Sequence, residues 1–116
     1  MDVLIVDDDA AVRRVYQRLL EKAGYMVTAV DNGLAAFAEI QQRSYRAILC
    51  DVQMPFLKGN SFYQELVENY PDMAKRLIFI TGFAGDQEVA AFLKSTGRPV
   101  LRKPADSKTL IAEVRK

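Results

Sequence analysis

The 116-residue chain contains no histidine, and this absence excludes more chemistry than any other feature of its composition. Without an imidazole there is no His-based general acid or base, no Ser-His or Cys-His nucleophile, and none of the usual ligand for transition metals. Cysteine is nearly absent as well. Cys50 stands alone, which excludes an internal disulfide framework and a Cys-rich zinc site and suits a reducing cytosol. No apolar run approaches the roughly 20 residues that span a bilayer, and the N-terminus "MDVLIVDDD" has neither a basic flank nor a long apolar stretch. The expectation is a cytoplasmic domain that makes no membrane contact. Charge of one sign is also lacking: Lys and Arg total 16 against 15 for Asp and Glu, so the net +1 gives no reason to expect direct nucleic-acid binding.

What is present is an alternation of strands and helices. Half of the residues are apolar, enough for one globular domain that buries about two thirds of its extended surface. No repeat, low-complexity tract or linker divides the chain, so residues 1–116 are read as one unit, with no output domain visible. Val3 to Val6 is a strand ending in three aspartates, and Val12, Val15, Tyr16, Leu19 and Leu20 then recur at helical spacing until Gly24. Met26 to Val30 is a second strand. Asp31-Asn32-Gly33 turns and can cap a helix marked by Leu34, Phe37 and Ile40. Arg46 to Cys50 is the third strand, and Phe62, Leu66, Val67 and Tyr70 trace a helix that Pro71 terminates. Leu77 to Ile80 and Pro99 to Leu101 are the last two strands, separated by a helix carrying Phe92 and Leu93 before Gly97 and followed by one carrying Leu110, Ile111 and Val114. Five apolar strands alternating with five helices predict an α/β fold, a doubly wound five-stranded parallel sheet covered on both faces.

In such a sheet, ligands sit beyond the carboxyl ends of the strands, where the strand order reverses. That edge receives Asp7 and Asp8 from the first strand, Asp51 from the third, Thr81 from the fourth and Lys103 after the fifth. Two carboxylates about 4 Å apart repel by about 4 kcal/mol at an effective dielectric near 20, so three in one pocket need a cation or raised pKa values. An all-oxygen ligand set points to Mg²⁺. Carboxylate-bound Mg²⁺ usually serves phosphoryl transfer, and a carboxylate can itself accept the phosphoryl group as an aspartyl phosphate.

The segments "LIVDDD", "ILCDVQMPFLKG", "IFITGFA" and "VLRKP", in this order and spacing, resemble the receiver domain of two-component response regulators, a flavodoxin-like fold, over essentially the whole chain. The resemblance implies that Asp51 is the phosphoacceptor, that Asp7, Asp8, Asp51 and the backbone carbonyl of Gln53 hold Mg²⁺, and that Thr81 and Lys103 contact the phosphoryl group. It implies a phosphorylation-dependent signalling switch that catalyses only its own phosphorylation and dephosphorylation. The partner would be a sensor histidine kinase or a histidine phosphotransfer domain. The Lys103-Pro104 bond is commonly cis in this family. Lys94, Arg98 and Arg102 are candidate contacts for a downstream protein on the face of the fourth helix, fifth strand and fifth helix. The stretch "FLKSTGRPVLRKP" resembles receivers of hybrid sensor histidine kinases.

Departures from the family pattern are equally legible. Val100 stands where many receivers carry the aromatic that reports phosphorylation, and Lys58 stands where an aspartate often precedes Gly59. Gln53 and Phe83 lie two residues beyond Asp51 and Thr81, at places that tune dephosphorylation, and a bulky Phe83 is expected to hinder the hydrolytic water. Alternatives remain at this stage. A receiver-like interaction module that is never phosphorylated is one, and the presence of every site residue counts against it. A Mg²⁺-dependent aspartyl-phosphate phosphohydrolase would want a carboxylate at Gln53 and an inserted lid, and a nucleotide or flavin binder would want a phosphate loop where "DDDAAV" repels phosphate. Taken singly, Asp7-Asp8 reads as a helix cap and Cys50 as packing. Asp9 is expected to cap the first helix, and Arg13, Arg14, Arg18 and Lys22 read as solvated charges.

Overall fold

Strand ends decide where chemistry can gather, so the sheet comes first. The computed structural model describes residues 2–51, 59–82, 87–103 and 106–116. In chain order the elements are β1 (Asp2–Val6), α1 (Ala10–Lys22), β2 (Met26–Val30), α2 (Gly33–Gln42), β3 (Ala47–Asp51), α3 (Gly59–Asn69), α4 (Pro71–Ala74), β4 (Leu77–Thr81), α5 (Gln87–Thr96), β5 (Val100–Arg102) and α6 (Ser107–Arg115). All strand pairs are parallel, in the order β2-β1-β3-β4-β5. The predicted doubly wound sheet is therefore present.

Each central strand alternates its side chains between two cores, as the two-residue period of a pleated strand requires. Leu4, Val6, Ile48, Cys50, Leu77 and Phe79 pack against α2, α3 and α5 through Ala36, Ile40, Phe62, Leu66 and Leu93. Val3, Ile5, Ala47, Leu49, Ile78, Ile80 and Leu101 pack against α1 and α6 through Tyr16, Leu20, Leu110 and Val114. Burial on both faces explains why these strands read as unbroken apolar runs.

Helix ends follow local chemistry. Asp9 caps α1 by accepting from the amides of Ala11 and Val12, Asn32 caps α2 through the Ala35 amide, and Asp106 caps α6 through the Thr109 amide. Gly24 and Gly97, at the ends of α1 and α5, have φ of 98° and 68°, a region that side-chain-bearing residues rarely adopt. Among the described residues no helix is long and apolar enough to cross a membrane.

One expectation needs correction. Among the described residues there are six helices rather than five, because Pro71 does not merely end α3: it opens the four-residue α4. A proline cannot continue a helix but is well placed at its first position, where its missing N–H would have had no partner. Val15, Leu34 and Val67 lie on the helices that their spacing predicts and are 54%, 71% and 45% exposed. The apolar stripes are wider than the area that the sheet covers. Lys58, Phe83 and the Lys103-Pro104 bond fall, wholly or in part, outside the described residues.

Candidate functional site

The order β2-β1-β3 makes the chain reverse direction across the sheet between β1 and β3, and the crevice at that switch point lies between the ends of these two strands. The ladder pairs Val6 with Cys50, so the next residues, Asp7 just past β1 and Asp51 at the end of β3, lie side by side. A backbone bond from Asp7 N to Val30 O at 3.1 Å carries the β1–β2 ladder one residue further. On the other side Asp51 pairs with Ile80 and Thr81 with Arg102, and the Lys103 amide donates to the Thr81 carbonyl at 2.9 Å. Five sequence-predicted residues, Asp7, Asp8, Asp51, Thr81 and Lys103, are thus delivered to one edge by strands that end together. Gln53 lies outside the described residues.

Three of the five are buried: Asp7 is 2%, Asp51 7% and Thr81 6% exposed. Burying charge is costly unless it is paired. Lys103 supplies the pairing, its Nζ lying 3.1 Å from Asp7 Oδ2 and 3.2 Å from Asp51 Oδ2. Its aliphatic stem passes over Gly82, where an added Cβ would stand 3.9 Å from Lys103 Cδ. Burial is the largest single influence on the ammonium and pulls its pKa down, but the carboxylates of Asp51 and Asp7 outweigh it and hold the pKa above the ordinary lysine value. One ammonium serves two buried carboxylates.

Asp8 adds a third, exposed carboxylate. Oxygens of Asp7, Asp8 and Asp51 all lie within 4.8 Å of one another, a grouping that could hold a metal ion. The donor set is entirely oxygen, with no imidazole or paired thiolate to favour a softer metal, so its chemistry fits Mg²⁺ or a similar hard cation. Cys50, the nearest sulfur in sequence, is fully buried, and burial followed by the charges of Asp51 and Asp7 pushes its thiol pKa well above the usual value. Its thiol donates to the Asp51 carbonyl at 3.3 Å, consistent with packing rather than reactivity.

One contact was not expected. Arg13, read as a solvated charge, reaches back from α1 and donates through Nη1 to the backbone carbonyl of Asp7 at 2.8 Å. The local signal was its place near the start of α1, since helical side chains slant toward the N-terminus and a long one there can return to the strand end. Among the candidate partner contacts, Lys94 and Arg102 are exposed, whereas Arg98 is half-buried and donates through Nε to the Leu77 carbonyl at 2.9 Å. Val100 is 38% exposed on β5.

A parallel sheet of this order with an acidic cluster and a lysine at its carboxyl edge defines a signalling receiver, and the chain belongs to the response regulator receiver domain family, whose model matches residues 3–115. It is 35% identical over 118 residues to the response regulator receiver protein CpdR of Brucella abortus, covering 98% of this chain and 93% of that protein. It is 29% identical to the transcriptional regulatory protein ZraR of Klebsiella oxytoca over 91% of this chain, which spans only 24% of that longer protein. Its structure is similar to that of a CheY-like receiver domain protein from Methanospirillum hungatei JF-1, with a TM-score of 0.87 and 26% identity over 98% of this chain and 90% of the other.

Proposed function

We propose that this chain is a phosphorylation-dependent switch of a two-component system, with Asp51 as phosphoacceptor. The observation that carries the reading is the shared Lys103 ammonium: a buried Asp51 is held ready at a strand end, beside two further carboxylates, by a cation able to move to a phosphoryl oxygen. Asp7, Asp8, Asp51 and the Gln53 carbonyl would hold Mg²⁺, which when bound offsets the charge of the transferring phosphoryl group. An Asp51 carboxylate oxygen forms the new bond to phosphorus as the phosphorus–nitrogen bond of a donor phosphohistidine breaks. The imidazole leaves with the electron pair of that bond and takes a proton from solvent. Lys103 pairs with the phosphoryl oxygens and the Thr81 hydroxyl donates to one of them.

In this reading residues 1–116 form one receiver unit in the cytoplasm, and the donor is a sensor histidine kinase or histidine phosphotransfer domain. Drawing Thr81 inward shifts an existing equilibrium of the face formed by α5, β5 and α6, where Lys94 and Arg102 meet a downstream protein. With valine at position 100, that shift proceeds without rotation of an aromatic ring on β5. The test is intact mass after incubation with acetyl phosphate. One added phosphoryl group that requires both Mg²⁺ and Asp51, and is lost in Asp51→Asn, is the expected result. Uptake by Asp51→Asn equal to that of the native chain would overturn the assignment.

A further inference from the structure

The relative direction of the Asp7 and Asp8 carboxylates depends on the rigid peptide group that joins these two neighbours. Asp7 is anchored several times: its amide donates to Val30 O at 3.1 Å, and its Oδ1 accepts from the Asp9 amide at 2.9 Å. Asp9 is anchored too, through Oδ1 to the amides of Ala11 and Val12 at 2.9 and 3.2 Å. Between them Asp8 is exposed, and among the described residues its carboxylate takes part in no hydrogen bond or ion pair. No such side-chain contact holds it, so the backbone on either side, the plane of the Asp7–Asp8 peptide included, sets the position from which it reaches. The carbonyl of that peptide is the one that Arg13 Nη1 holds at 2.8 Å.

We propose that Arg13 is a positioning residue for the cation site: by clamping the carbonyl of the Asp7–Asp8 peptide group it sets the angle at which the two carboxylates meet a Mg²⁺ ion. The inference rests on the metal-assisted reading above. Losing an orienting contact behind a metal ligand typically costs about 10- to 100-fold in metal affinity. Here orientation and charge act with opposite signs. A guanidinium beside the Asp7–Asp8 peptide repels a dication, so removing its charge alone would tighten Mg²⁺ binding, whereas removing its clamp loosens it. Arg14 provides the internal control, being adjacent in sequence, of equal charge and exposed.

Calorimetric titration of Mg²⁺ into the native chain, Arg13→Met, Arg13→Lys and Arg14→Met separates these effects. Arg13→Met is expected to weaken binding about ten-fold, the low end for an outer contact of a metal site, with Arg13→Lys restoring most of it and Arg14→Met leaving it unchanged or slightly tighter. In hydrogen exchange without metal, the Asp9 amide should lose protection in Arg13→Met while the amides of β3 and β4 keep theirs. Should Arg13→Met fail to fold, Arg13→Gln carries the same comparison. Binding by Arg13→Met, or by Arg13→Gln in its place, equal to or tighter than native, or an equal loss in Arg14→Met, would overturn the inference. A native chain that binds no Mg²⁺ would instead overturn the reading on which it rests, and the inference with it.

Discussion

The two edges of the sheet treat charge in opposite ways. At the amino edge Arg43 pairs with the Asp2 carboxylate, and three arginines are satisfied by the protein's own backbone: Arg76 donates to the Tyr45 carbonyl at 2.7 Å, Arg98 to Leu77, and Arg46 to the carbonyls of Val114 and Arg115 at the end of α6. These bonds occupy carbonyls at strand starts and at a helix terminus, where partners inside the element run out. At the carboxyl edge Asp7 and Asp51 share one ammonium while the Asp8 carboxylate has no ion pair, leaving negative charge in excess among the described residues. One edge is complete in itself and the other is not. The contrast sets the carboxyl edge apart as the one that carries an electrostatic cost, and it can be broken or sharpened from either side.

The largest effect is expected at Lys103. Lys103→Met leaves Asp7 and Asp51 buried without their cation and should cost about 3–5 kcal/mol in urea unfolding without metal, part of which Mg²⁺ should restore. A loss under about 1 kcal/mol would mean that these carboxylates are not held as a buried pair. Next comes the opposite edge. Arg46→Met removes charge-assisted bonds to the end of α6 and should cost about 2 kcal/mol while leaving phosphoryl uptake at Asp51 unchanged. Reduced uptake would show that the edges are coupled.

Asp8→Asn should do the reverse of Lys103→Met. Removing one repelling charge stabilises the metal-free chain by at most about 1 kcal/mol, the water-like limit at this separation, while weakening Mg²⁺ binding; a destabilised variant would contradict the excess of negative charge. Smaller still is the effect of pH. The pKa of Lys103 is raised on folding from the ordinary 10.5, so its contribution is fully present below that value and is lost as pH rises through the higher folded value. Urea midpoints of the native chain should accordingly fall more steeply than those of Lys103→Met at alkaline pH above about 10, and parallel curves would contradict the pairing.

The legible and illegible parts of this molecule divide by distance along the chain. The strands could be read because burial on both faces makes them unbroken apolar runs, and their ends because Asp7, Asp51, Thr81 and Lys103 interrupt those runs. Parallel topology alone then brings the four together. Bonds between remote parts could not be read: Arg46 reaches the Val114 carbonyl 68 residues away and Arg76 reaches Tyr45 across 31. Nothing local in either arginine distinguishes it from a solvated charge. The exposure of Val15 and Leu34 was hidden for a related reason, since helical spacing defines a stripe but not how far a sheet extends beneath it. Arg13 lay between these cases, with a contact six residues away but a role that only the fold reveals.

The most direct test of the contrast is urea unfolding of the native chain, Asp51→Asn and Arg46→Met at increasing Mg²⁺. An edge with excess negative charge that takes up a cation predicts that native stability rises with Mg²⁺, by about 2.7 kcal/mol at a hundred times the dissociation constant. Arg46→Met should gain as much and Asp51→Asn much less. Native stability that does not change with Mg²⁺, or an equal gain in Asp51→Asn, would contradict the account.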